Sequence, residues 1–194
     1  KYAVARSNYV HPLYGPNGEI LTKDYSPDHP HHRGFYWAWP EVTYKGDKRD
    51  LHALQGVFAR PVKIVSRKAG EDFAELVAEN VWKWGDAEPI VKETATIRVG
   101  PEQNGIRPID FMFRFEALVA GVTVARRGQK AYGGFNLRMS ARKDLKIIKH
   151  TAPSGAPHRA AWADAVGVPP GGKGPVGIFL LQSPANPEYP GDWV

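Results

Sequence analysis

Ile109, Phe111, Phe113 and Phe115 alternate with Asp110, Met112, Arg114 and Glu116, the two-residue period of a strand with one buried face. Val91, Ala95, Ile97 and Val99 alternate in the same way with Lys92, Thr94, Thr96 and Arg98. Phe135, Leu137 and Met139 alternate with Asn136, Arg138 and Ser140. Further strands are predicted at Val57 to Ser66, Phe73 to Trp84, Leu118 to Arg126, Leu145 to His150 and Val176 to Gln182. Between them lie turn signals such as Pro16-Asn17-Gly18, Asn104-Gly105 and Pro169-Pro170-Gly171-Gly172. No segment carries a helical period. Many strands at this spacing predict an all-β protein, an antiparallel β-sandwich of jelly-roll or galactose-mutarotase-like supersandwich type. Residues 151 to 175, rich in Pro, Gly and Ala, read as a long irregular loop.

The 194 residues fit one β-sandwich domain over 1–194, read as trimmed at one or both ends because Val194 directly follows Trp193. No apolar run approaches the roughly 20 residues that a membrane-spanning helix needs. Cysteine is absent, which excludes disulfides and thiolate chemistry. A periplasmic or secreted bacterial location is the expectation. The net charge of +6 is concentrated between Arg126 and Lys149, where Arg126, Arg127, Lys130, Arg138, Arg142, Lys143, Lys146 and Lys149 face one acid, Asp144. This stretch reads either as an edge strand guarded by lysines or as a surface for an anionic glycan. Its basic residues are not interleaved with aromatic ones, which argues against nucleic acid as a partner.

Asp28-His-Pro-His-His-Arg-Gly34 carries the chemistry, with three of the seven histidines beside an acid and an arginine. Imidazoles titrate near neutrality and fill cores poorly, so grouping them points to proton transfer or metal binding. In an extended segment His29 and His31 would share one face and His32 the other. The catalytic candidates are therefore His29, His31, His32 and Asp28, with Asp28 orienting an imidazole. The metal candidates are His29 and His31, with His11, His52 or Glu41 as a third ligand to a divalent ion such as zinc, manganese, nickel or iron. Arg33, Tyr36, Trp37, Arg138 and Asn186 are the candidate substrate contacts. Aromatic residues crowd this stretch: Tyr25 before it, then Phe35, Tyr36, Trp37 and Trp39. Rings beside hydrogen-bonding side chains suit sugars, although Phe35, Trp37 and Trp39 alternate as the inward face of a strand would. Glu41, Asp47, Asp50, Glu79 and Glu93 offer carboxylates, but no spacing singles out a hydrolytic pair. His150 and His158 read as loop or strand-end histidines.

His11 to Asp24, Asp28 to Gly34, Trp82 to Glu93, Gly133 to Arg138, Ala161 to Asp164, Gly177-Ile178 and Pro184 to Pro187 together resemble an uncharacterised bacterial family. It is often labelled methane oxygenase PmoA-like. Particulate methane oxygenase subunits are membrane-integral, whereas the resemblance implies a soluble β-rich protein of carbohydrate metabolism, encoded near sugar oxidoreductases and glycan-degrading genes. It brings no catalytic residues with it. The family pattern usually continues past the tryptophan matching Trp193. It also often carries a Gly-x-Asp-Phe-Trp-like stretch where this chain has Lys45-Gly-Asp-Lys-Arg-Asp50. The combined expectation is a carbohydrate-processing enzyme, a hydrolase, lyase or epimerase, acting on a neutral or anionic sugar through a histidine-rich site. The alternative is a non-catalytic carbohydrate-binding module with Trp37, Trp39 or Trp193 as its platform.

Overall fold

The computed structural model describes residues 6–128, 132–151 and 159–193. Lys130 of the basic stretch and His158 lie outside them. The described residues form fifteen strands and no helix. The largest sheet has the order β10 (Ile109–Ala117), β9 (Glu88–Val99), β8 (Ala74–Trp84) and β7 (Val57–Ala69), all antiparallel. Its inward face follows from alternation. Phe111 pairs with Ile97, Phe113 with Ala95 and Phe115 with Glu93, so the three phenylalanines form one apolar ladder.

A smaller sheet sets β4 (Phe35–Ala38) between β1 (Tyr9–Val10) and β12 (Gly134–Leu137). Phe35, Trp37 and Trp39 meet the phenylalanine ladder ring against ring. The centroids lie 5.6 Å apart for Phe35–Phe111, 4.4 Å for Trp37–Phe113 and 5.1 Å for Trp39–Phe115. These faces close the interior of an antiparallel β-sandwich. β4 is buried along its whole length, so Tyr36 and Ala38 on its other face are covered as well. The main core joins them to Val42, Leu51, Val57, Trp82, Trp84 and Ile90. β5 (Glu41–Tyr44), β6 (Asp47–Arg49) and β11 (Thr123–Ala125) form a flanking sheet with β5 in the middle.

A fourth antiparallel sheet runs β13 (Lys143–Thr151), β14 (Ala160–Val168) and β15 (Val176–Leu181), and its Ile178 packs with Leu21 and Phe35 in a second core. β13 is an edge strand carrying Lys143, Lys146 and Lys149, which matches the lysine-guarded edge expected of the basic stretch. Two expectations are corrected. Residues 151 to 175 are not one loop, because β14 occupies their middle. Its inward positions Ala163, Ala165 and Gly167 are small enough to lie close against the core, and so they lacked the bulky apolar alternation that marks a strand. Of the strand expected at Leu118 to Arg126, only Thr123–Ala125 pairs, since a turn intervenes at Ala120 and Gly121.

Candidate metal centre

The hairpin of β2 (Asp24–Ser26) and β3 (His29–Arg33) carries the histidine stretch. Its register explains what the side chains do. Asp24 pairs with Arg33 and Ser26 with His29, so two steps along β2 face four along β3. The additional residues lie among Pro30, His31 and His32, of which Pro30 has no N–H to give a ladder, while Tyr25 across from them takes φ 59°. Strict alternation therefore fails, and His31 and His32 reach the same place. Their ring centroids are 4.6 Å apart. His29 stacks on the outer side of His32 at 4.8 Å, with its Nδ1 2.8 Å from Asp28 Oδ2.

The third imidazole comes from another part of the chain. Asp50 and Gln55 pair across the turn after β6, and the N–H groups of Leu51 and His52 both donate to the Trp39 carbonyl. This docking aims His52 at the hairpin, 5.5 Å from His31 and 5.4 Å from His32 between centroids. One nitrogen from each of His31, His32 and His52 lies within 4.8 Å of the others. Among the described residues this is the group that could hold a metal ion. A tetrahedral ion at Zn–N distances of about 2.0–2.1 Å needs nitrogens roughly 3.3 Å apart, so the three rings would draw together to hold one.

The surroundings keep the imidazoles neutral, as ligands must be. Burial, then the charge of Arg6, pushes His52 down to about 3. Burial, then the neighbouring imidazoles, lowers His32 to about 3. His31 is lowered by burial and by Arg6. Burial raises the pKa of the Tyr36 hydroxyl, 3.0 Å from His52 Nε2, so the hydroxyl stays protonated at neutral pH. Asn136 lies close enough to the His52 side chain to oppose the lowering of its pKa, and the Tyr132 ring stands 5.1 Å from the His52 ring. Arg6 braces this wall from behind. Its guanidinium donates to the carbonyls of Leu51 and His52 and lies 4.8 Å from the centroid of the Tyr36 ring.

The other sequence candidates distribute as follows. Arg33 is buried and ion-paired to Asp24 at 3.1 Å, an anchor of the hairpin. Trp37 lies in the sandwich interior against Phe113, on the face of β4 opposite Tyr36. Arg138 stands at the cluster's rim, between Ser26 and Asp28. Asn186 occupies an exposed turn closed by its N–H to the Ser183 carbonyl, and no described contact joins it to the imidazoles. His11 bonds Thr22 at 2.9 Å, and Glu41 pairs with Lys48. His150 bonds Asp164 on the β13–β14–β15 sheet. Glu93 is fully buried between the sheets, accepting from Asn80 and Trp82. Arg6, Tyr132 and Asn136 were not among the sequence candidates. Each sits in an unremarkable local sequence and reaches the site only through long-range packing.

A model of one family covers the whole chain, residues 1–194. The chain belongs to the Family of unknown function (DUF6807). The match agrees with the expected uncharacterised family, and nothing in it carries the PmoA-like label. No curated protein and no solved structure matches the chain significantly. For this DUF6807 member, the imidazole cluster and its walls are therefore what a functional reading stands on.

Proposed function

We propose that this protein is a metal-assisted enzyme acting on a hydroxyl-rich small molecule of the carbohydrate class. The observation that carries the reading is the convergence of three neutral imidazoles, from two separate segments, at one partly open site. Three uncharged nitrogens on one side leave positions for solvent or substrate on the other, the pattern of a catalytic rather than a structural ion. Zinc, manganese, nickel and iron all suit such ligands. A bound cation polarises a substrate oxygen. The chain's own groups then supply orientation: the Tyr36 hydroxyl and Asn136 from one wall, Arg138 from the rim, and His29 with Asp28 as an exposed acid–base pair. Hydroxyl-bearing substrates match this mixture of donors, acceptors and tyrosine rings.

The reading is tested by metal analysis of untagged protein. Wild type is expected to retain about one equivalent of a divalent transition metal, and His31→Ala and His52→Ala to lose it while keeping the β-rich circular dichroism spectrum. Wild type without metal after reconstitution with zinc, manganese, nickel and iron in turn sinks the proposal. The binding-module alternative draws on a different observation. Trp37 is enclosed in the core, but the Trp162 and Phe179 rings stack at 4.6 Å on the outer face of β14 and β15, where Phe179 is exposed. It predicts glycan binding that survives loss of the histidines and is lost with Trp162→Ala.

A further inference from the structure

We infer that the histidine cluster takes a carboxylate-bearing ligand, a sugar acid or smaller hydroxy acid, with Arg138 gripping the carboxylate. This rests on the metal-site reading above and names its substrate class. β12 runs antiparallel to β4, with Asn136 opposite Tyr36. Arg138, two residues further on, shares their face, and its N–H donates to the Gly34 carbonyl at 2.7 Å, which holds it in register.

The guanidinium is fixed at one end and open at the other. Its Nε donates to Ser26 Oγ at 3.3 Å, and Ser26 is fully buried beside the hairpin turn. Nη2 lies 3.8 Å from Asp28 Oδ2, an ion-pair separation beyond hydrogen-bond reach. Among the described residues the two terminal nitrogens therefore make no hydrogen bond. Asp28 is a weak occupant, largely exposed and already bonded to His29. The other arginines nearby are engaged: Arg33 with Asp24, Arg127 with Asp50, and Arg6 with backbone carbonyls.

Arg138 stands close enough to the cluster for its charge to act on His32 and Tyr36. A planar fork of unused donors matches a carboxylate in two parallel hydrogen bonds. A hydroxy acid presents that carboxylate together with a neighbouring hydroxyl, so one molecule offers oxygens both to the fork and to a cation on the imidazoles. An entering carboxylate displaces Asp28 from Arg138, at little cost for so exposed and long a pair.

The test is calorimetric titration of the metal-loaded chain with glycolate, D-glucuronate and D-galacturonate, compared with D-glucose, D-galactose and inorganic phosphate. At least one acid is expected to bind about tenfold or more tighter than every neutral sugar. Arg138→Met is expected to abolish that preference with metal content and melting temperature unchanged. Arg138→Lys, which keeps the charge and loses the fork, is expected to weaken acid binding without abolishing it. If the Met variant does not fold, undiminished acid binding by the Lys variant overturns the assignment. So does a wild type that does not discriminate, a preference that survives in Arg138→Met, or phosphate binding more tightly than every acid. The same titrations on metal-free protein separate the two readings. A chain that takes no metal refutes the metal centre, while the Arg138-dependent preference is still read directly.

Discussion

Glu93 occupies a position where a sheet interior ordinarily holds an apolar side chain. It is fully buried, opposite Asn80 across the β8–β9 ladder. Its carboxyl accepts 2.7 Å hydrogen bonds from Asn80 Nδ2 and Trp82 Nε1, and burial raises its pKa. An isolated buried carboxylate would be prohibitive, but one supplied with donors is tolerated. Glu93→Leu keeps the volume and strands both donors, so it should destabilise the fold by roughly 2–5 kcal/mol in chemical denaturation. A smaller loss would mean that the surroundings relax around the vacated donors. The histidines show the same dependence on context: His31 and His32 face one site because the hairpin bulges, and His52 joins them because Trp39 accepts its backbone N–H.

At the scale of elements, the β2–β3 hairpin has to be held against the sandwich for its imidazoles to meet His52. Arg33 and Asp24 pin its inner end, and Gly34 makes the turn into β4. Gly34 has φ 42°, and a Cβ there would stand 2.2 Å from the Val10 carbonyl oxygen and 3.0 Å from His11 Cβ. Backbone cannot retreat from such a contact without breaking the β1–β4 pairing. Gly34→Ala should therefore cost about 3 kcal/mol or more and scatter the metal site with it. Gly46 makes the informative control, since its φ is 76° but nothing lies within 4 Å. Gly46→Ala should cost only about 1 kcal/mol and leave metal content untouched. Equal losses from the two variants would show that strain, not the close approach, decides.

For the molecule as a whole, the neutral imidazoles make stability depend on pH. Unfolded imidazoles take up protons below about 6.5, whereas His32 and His52 resist protonation in the fold down to about 3. Acid thus favours the unfolded chain throughout that window, and the stability present above it is lost as pH falls. Glu93 acts in the opposite sense, because its raised pKa makes the fold hold a proton more tightly. The melting temperature of the metal-free protein should fall between pH 6.5 and 4, and His32→Gln should flatten that fall. An identical slope in the variant would remove His32 from the account. Metal-loaded protein should lose stability more steeply, since protons compete with the ion for the same nitrogens.

The sequence by itself determined the all-β class, the inward faces of β9 and β10 and the stretch in which the histidines lie, and it offered the inward face of β4 and the lysine-guarded edge each as one of two readings. Each is a local property, since a regular strand shows its burial pattern in the period-two alternation of its own side chains. Only the tertiary structure decided which histidines converge. Alternation predicted His29 and His31 on one face and His32 on the other, but the register shift in the hairpin gathers all three rings, and whether a strand bulges depends on the register of its partner. His52 had no local mark beyond being a histidine, because its place depends on a turn docking onto Trp39. Arg33, between His32 and Gly34, and Arg138, between Leu137 and Met139, carry the same side chain, and no local pattern tells their roles apart. Burial against Asp24 made the first a strut, and a half-open position beside Ser26 left the second with donors to offer. Alternation is written within a strand, but a site assembled across strands depends on long-range pairing that no local pattern records.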